Sequence, residues 1–525
     1  MKVLWHGGTI YTMEAEGAVA EAVLVSDDHI EKVGTYEELK EQADTKVDLQ
    51  GKSMYPGFVD SHMHMIGHGE KLMRVDLSKI ASSEEMREQL IESTKELNKD
   101  EWFIGEGWNE NNFADRKIFH RHELDEISSS PMMLKRVCRH AILANSSALA
   151  LAGITKDSPD PEGGVIVRDA DGEPTGYLLD AAQDMVANQV PEVSVEYLTR
   201  ALQKSVDDLL SLGLTGAHTE DMGYYGHYSR PLQAFKNVIG KQVKFRAHLL
   251  RAHVAFEEMM ENASYAEPFV DPGPMKIFAD GSIGGRTALL SKPYNDDPST
   301  IGVAIQSDEE FKRLVSISRK HGEAVAIHVI GDLGLEMALD AIEAHPVPAG
   351  KRDRLIHAMV VREDLVERMQ QIDVALDLQP SFVTSDFPWV VERLGESRLE
   401  WAYTWKKLLN HGLICAGGSD APIEEVDPCL GIYAAVTRRK PYDTHEGYQP
   451  EEKLSRFEAI QLYTSGSAAA IGKEAVRGVI REGFDADFTI FDRDLFAGNE
   501  EQILEAKAVM TVVAGEIMYQ RGEEA

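Results

Sequence analysis

A chain of 525 residues with 88 acidic against 54 basic side chains, a formal charge of −34, lacks the cationic surface that a phosphate backbone or an anionic membrane selects, so neither nucleic acid nor membrane is an expected partner. Its length suits one very large catalytic domain or two to three ordinary ones, and 43% hydrophobic with 27% charged residues is the make-up of a soluble globular protein. The three cysteines, Cys138, Cys415 and Cys429, form no CxxC pair, which argues against a disulfide framework and a cysteine zinc site.

Residues 1–56 offer short alternating strands, KVLWHGGTIYTM, EAVLVSDDHIEKVG and KVDLQGKSMYP, separated by Gly and acidic turns. The opening MKVLWHGGTIYTM has no apolar core of a signal peptide, and no run of about 18 apolar residues follows anywhere, so a cytoplasmic location is expected. Next comes FVDSHMH, which reads as the first strand of a larger domain spanning 57–465. Residues 66–200 are then an insertion after that strand, with a hairpin-like stretch, GGVIVRDADGEPTGYL, turning at Asp171-Gly172. From about 200 to 465, β-type runs alternate with helical spacing: LTGAHTED, KFRAHLL, MKIFADGS, AVAIHVIGD, RLIHAMV, VALDLQPS and LICAGGSDAP. With FVDSHMH these make eight, the count of an α/β (β/α)8 TIM barrel. Residues 466–525 return to the opening texture in RGVIREGFDADFTIFD and AVMTVVAGEIMYQRG, and two β pieces so short bury enough surface only by pairing into one small β-sandwich built from both chain ends.

In a strand, residues i and i+2 share a face, so His62 and His64 both project into the barrel mouth while Met63 faces the helical shell. Two imidazoles on one face can hold a divalent metal, although an isolated HxH is more often a core or surface pair. Other ligand types stand at the ends of other strands: His328 in AVAIHVIGD, His357 in RLIHAMV, Asp420 at the tip of ICAGGSD and Lys276 in MKIFADG. A TIM barrel gathers the C-terminal ends of all its strands at one face, so these residues converge. Lys276, flanked by Met275, Ile277 and Phe278, is costly to bury as an ammonium. Carboxylation by carbon dioxide would make it an anionic two-oxygen ligand able to bridge two metals.

These stretches, with GEGWNE, RHAILANSSAL, GEPTGYL, KIFADGSIGGRTALL, the PY of KPYND, LQPS and GSDAPIEEVDP, resemble the amidohydrolase superfamily, specifically its amidohydrolase-3 group of N-substituted formamide deformylase-like and YtcJ-like metal-dependent hydrolases. The likeness covers essentially the whole chain. It implies His62, His64 and Asp420 around a first divalent metal, His328 and His357 around a second, and a carboxylated Lys276 between them, with zinc favoured over iron or manganese. It implies hydrolysis of a carbon–nitrogen bond other than a peptide bond in a small amide-type molecule, with Asp420 as the proton shuttle. Trp108, His140 and Arg286 are the expected substrate contacts, and a homo-oligomer is left open.

Other residues carry two readings each. His140 is a substrate or oxyanion contact, or a structural hydrogen bond; Asn145 and Asn109 belong to the same insertion motifs. Asp280, Arg286 and Tyr294 contact substrate or organise a loop, and Asp332 orients a ligand histidine or caps a helix. Phe382, Phe387 and Trp389 wall a pocket or pack a core; His68, His218, His248, His321 and His411 are read as packing or surface residues. Two rival functions remain. A mononuclear deaminase of the superfamily needs a glutamate three positions after the fifth-strand histidine, where Gly331 stands, and a non-catalytic amidohydrolase-like scaffold would show gaps in a ligand set that here is complete.

Overall fold

The computed structural model describes residues 1–95, 97, 101–136, 141–161, 163–191, 193–265 and 267–522. Eight parallel strands lie side by side in chain order: Phe58–Met63, Leu214–Thr219, Arg246–Ala252, Val270–Phe278, Val325–Val329, Asp353–His357, Val374–Leu378 and Ile414–Gly417. The ring is drawn together where Asp420 N, just past the last strand, donates to His62 O of the first at 2.8 Å. Every residue of Leu214–Thr219, Asp353–His357 and Val374–Leu378 is buried, as expected of parallel strands covered on both faces. The intervening helices follow the expected spacing. Asp308–Lys320 starts at Ser307, whose hydroxyl accepts from Glu310 N; it has acids in its first turn, Arg319 and Lys320 in its last, and buries Phe311, Leu314, Val315 and Ser318 along one stripe. Among the described residues, no helix is long and apolar enough to cross a membrane.

The two chain ends do meet. They form one eight-stranded sheet, ordered Glu516–Gln520, Ala508–Val513, Phe488–Phe491, Ser53–Pro56, Lys2–Tyr11, Val19–Ser26 and His29–Gly34, with Thr45–Asp48 also paired to Lys2–Tyr11. Its core mixes both ends of the sequence: Trp5, Val23, Ile30 and Met54 pack with Ile480, Phe488, Ile490 and Val512. Neither end could bury these side chains alone. The sheet is tied to the third barrel strand by Arg246, whose Nε and Nη2 donate to Asp487 Oδ2 and Oδ1 at 2.5 and 3.1 Å. Because both side chains are nearly buried, removing the cation strands a carboxylate. Arg246→Ala is therefore expected to lose about 3 kcal/mol of unfolding free energy in urea titrations, and a loss below about 1 kcal/mol would show the pair to be solvated.

The chain folds into two compact units, one made of Met1–Gly69 with Val195–Ala525 and the other of Glu70–Ser194. The second has its own six-stranded sheet, ordered Gly164–Arg168, Pro174–Asp180, Ala141–Ala144, Met132–Arg136, Phe103–Trp108 and Val75–Asp76. The Gly164–Arg168 and Pro174–Asp180 strands are the hairpin expected from the sequence. Its turn uses Gly172 at φ +81°, a conformation that suits glycine, and Asp169 Oδ1 accepts from the amides of Asp171 and Glu173, both at 2.9 Å.

Candidate metal centre

Asp60 sets the backbone of the site. Its Oδ1 accepts from His62 N at 3.0 Å, and both of its oxygens accept from Ser419 N at 3.2 and 3.0 Å, so one buried carboxylate clamps the first strand to the loop that carries Asp420. Burial pushes its carboxyl up to about 7 even though these amides pull it down. Three non-glycine residues at the mouth sit in the left-handed region: His357 at φ 78°, Ala358 at φ 43° and Asp420 at φ 57°. Backbone strain of this kind is held only where surrounding contacts impose it, and it concentrates at functional sites.

His62 Nε2 and His64 Nε2 lie 3.5 and 3.3 Å from Asp420 Oδ1, and ligand atoms of the three residues fall within 4.8 Å of one another. His64 Nδ1 is 2.6 Å from the carbonyl oxygen of Glu220, which can only accept. The proton is therefore on Nδ1, and Nε2 offers a lone pair. A second pair repeats the logic. His357 Nδ1 donates to Gln379 Oε1 at 2.8 Å, whose own amide nitrogen donates to Asp377 O, and His328 Nε2 donates to Gly281 O at 3.2 Å. What remains are His357 Nε2 and His328 Nδ1, two lone pairs facing each other at 3.1 Å. Such an arrangement is repulsive between neutral imidazoles unless a cation or proton is shared, which is the test a metal site should pass. Lys276 Nζ stands 3.4 Å from His62 Nε2, and the His62 and His357 rings are 5.6 Å apart, so the two groups adjoin. All six residues named from the sequence come together here.

The electrostatics favour neutral nitrogen and anionic oxygen. Burial drives His62 and His328 well below the ordinary imidazole range, helped by Lys276 and neighbouring rings, and lowers His357 as well. Burial also brings the Lys276 amine down to about 8 against the pull of Glu220 and Asp420. For Asp420, burial works to raise the carboxyl, but His64 and the surrounding cations hold it below its usual value; His64 is correspondingly raised, because against burial the bond and charge of Asp420 together with Asp221 favour a second proton on Nε2, the one a metal ion would displace. Aromatic rings line the pair: Phe382 stacks on His357 at 6.0 Å, Phe278 lies 5.3 Å from His328, and Tyr224 sits edge-on to His64 at 5.4 Å.

The remaining expectations separate by their contacts. Arg286 is held by Asp296 at 3.2 and 2.8 Å, and Tyr294 donates to Ala288 O, so both tie down the loop after the fourth strand. Asp280 accepts from the amides of Leu289, Ile330 and Gly331, joining that loop to the fifth strand. Asp332 opens the helix Asp332–Ala344 and accepts from Ser291 N, a loop role rather than contact with a histidine. Trp108 is fully buried in the core of the smaller unit, and its indole N–H donates to Leu134 O at 2.9 Å. Asn145 caps the helix Ser146–Leu151, and His140 lies outside the described residues, as does Cys138. Phe387 is buried against Tyr403 and Tyr448, and Trp389 donates to Ser385 O. His68 pairs with Asp208 at 2.8 Å, and His218 and His248 pack edge to face inside the larger unit.

The amidohydrolase family model matches residues 45–519. The chain belongs to the amidohydrolase family. It is 49% identical to the YtcJ protein of Bacillus subtilis (strain 168), over 99% of this chain and all of that one. It is 28% identical to the N-substituted formamide deformylase of Arthrobacter pascens, over 98% and 97% of the two chains. Its structure matches the crystal structure of an uncharacterized metal-dependent hydrolase from Pyrococcus horikoshii OT3 with a TM-score of 0.77 at 29% identity, covering 95% of this chain and 99% of the other. The relationship therefore includes the insertion and the chain-end sheet as well as the barrel.

Proposed function

We propose that this amidohydrolase is a metal-dependent enzyme that hydrolyses a carbon–nitrogen bond, other than a peptide bond, in a small amide-type substrate. One observation carries the reading: four imidazoles and a carboxylate converge with the far nitrogens of His64, His328 and His357 already committed to acceptors, leaving lone pairs aimed inward. His62, His64 and Asp420 would hold one divalent ion, His328 and His357 a second, and Lys276, once carboxylated, would lie between. A zinc-type ion held there supplies a strongly acidified water at neutral pH and Lewis acidity toward a carbonyl. Asp420, kept ionised, is the base that takes the proton of the attacking water and gives it to the departing nitrogen, without which an amide anion is a very poor leaving group. Phe278, Phe382 and Tyr224 supply apolar surface for the substrate and limit water around the reacting atoms.

The name of the Arthrobacter pascens relative makes N-formyl amines the natural first substrates to try. Metal-replete protein assayed against N-formyl, N-acetyl and longer N-acyl amines and amino acids is expected to release amine from at least one class. Prior treatment with a strong chelator should remove that activity, and zinc, iron or manganese should restore it. Hydrolysis that survives complete metal removal would sink the proposal. Release of ammonia from amino-substituted heterocycles, in place of amine from acyl amides, would favour the deaminase reading.

A further inference from the structure

We propose that Arg354 is the positioning residue for His62, holding this metal ligand through the main chain from across the barrel; the role rests on the metal-dependent reading above. Of the four histidines at the centre, three have a ring nitrogen held by an acceptor: His64 by Glu220 O, His328 by Gly281 O and His357 by Gln379 Oε1. His62 has no such partner, because its Nδ1 is buried without a hydrogen bond. A metal-binding imidazole is ordinarily aimed by the bond its second nitrogen makes. His62 must therefore be aimed through its backbone.

The peptide joining Ser61 to His62 is gripped at both ends. Its N–H donates to Asp60 Oδ1 at 3.0 Å, and its carbonyl oxygen, that of Ser61, accepts from Arg354 Nη2 at 2.6 Å. Arg354 stands on the sixth barrel strand, two residues before Ile356, which packs with Leu250 of the third strand and Ala326 of the fifth inside the barrel. Residues two apart share a strand face, so the guanidinium also points inward, and it crosses to the first strand beneath the ligands. Its side chain is 1% exposed, and the buried Asp377 of the seventh strand accepts from its Nε and Nη2 at 2.9 and 2.8 Å, which sets the plane of the fork. The interior of such a barrel is normally filled by branched apolar side chains, and a buried ion pair can be exchanged for them at little cost in stability. An apolar pair could not bond Ser61 O, the carbonyl attached directly to His62 N. The ion pair also reaches the second group of ligands: Asp377 O accepts from Gln379 Nε2 at 3.2 Å, which leaves Gln379 Oε1 turned to His357 Nδ1.

The test compares full-length wild type, Arg354→Lys and Arg246→Ala, each stripped of metal and refilled with cobalt(II) in bicarbonate buffer. Lysine keeps the buried charge beside Asp377 and loses the fork that reaches Asp377 and Ser61 O together. Arg246→Ala is the control for stability alone, since it breaks a buried pair at the start of the third strand, the far end of the barrel from the ligands. The expected result is a folded Arg354→Lys whose cobalt affinity in chelator competition falls at least about tenfold, with shifted ligand-field bands in the visible spectrum, while Arg246→Ala keeps wild-type affinity and bands. Wild-type affinity and bands in Arg354→Lys would overturn the assignment and leave the hydrolase reading standing. Weaker binding with unmoved bands, or the same changes in both variants, would also overturn it, since neither is the signature of a displaced ligand. A wild-type protein with no tight cobalt site would overturn both readings. If the lysine variant does not fold, Arg354→Met combined with Asp377→Leu carries the test, because it leaves no unpaired buried charge. That double variant should bind cobalt more weakly with shifted bands, and wild-type values for both would overturn the proposal.

Discussion

Lys276→Ala is expected to lose metal and turnover together, each by about 100-fold, because on the proposed reading it removes the anion that would lie between the two ions. Lys276 is 1% exposed, its Nζ lies 3.4 Å from His62 Nε2, and burial brings its amine down to about 8, so a useful fraction is neutral near physiological pH. Only the neutral amine has the lone pair that attacks carbon dioxide; the new N–C bond forms, the nitrogen gives up a proton, and the product is a carbamate with two donor oxygens. An unmodified ammonium beside divalent ions would be strongly repelled, so carboxylation and metal binding favour each other. Two controls give the result its meaning. Formate, acetate or propionate added to the alanine variant should restore part of both metal content and rate by filling the vacated space with a carboxylate. Lys276→Arg should not be restored, since the guanidinium fills that space and resists carboxylation. Two tightly held metals and full activity in Lys276→Ala would refute the bridge.

The site was legible to the extent that single residues carried their own signal. The HMH repeat fixes two histidines on one strand face, and Lys276 between Met275 and Ile277 marks a cation in an apolar strand that needs a special reason. The barrel followed from the count of β-type runs, and the joining of the chain ends from the small surface each could bury alone, which the shared core of Trp5, Val23, Ile480 and Phe488 bears out. Less visible were residues whose roles lie in backbone contacts. Asp60 precedes the HMH repeat, but its grip on Ser419, 359 positions away, exists only once the ring brings first and last strands together. Gln379, which fixes the His357 tautomer, is one polar residue in VALDLQPS and has no motif of its own. Glu220, whose backbone carbonyl fixes the His64 tautomer, acts through a main-chain atom that no side-chain motif in LTGAHTED announces. Trp108 stands in a recognisable motif that suggests a ligand contact, and its burial and its bond to Leu134 O show that it also serves the core of the smaller unit.

Asp420→Asn is expected to separate metal binding from proton transfer. The position suits the substitution, because Asp420 has φ 57° and asparagine is among the few non-glycine residues that accept the left-handed region readily. The link from its N–H to His62 O is made by backbone and survives. The amide oxygen can still face His62 and His64, which lie 3.5 and 3.3 Å from the present Oδ1, so most of the metal should be retained. What disappears is basicity, which the His64 hydrogen bond and nearby cations now hold in the ionised, proton-accepting form. If Asp420 carries the proton to the leaving nitrogen, turnover of an amide should fall by at least about 100-fold, the lower scale of general acid–base catalysis. An activated ester should lose far less, because its leaving group departs as an anion without help. Equal losses on ester and amide, with metal content unchanged, would confine Asp420 to activating water. An amide rate that does not change would remove it from the chemistry and leave it a ligand alone.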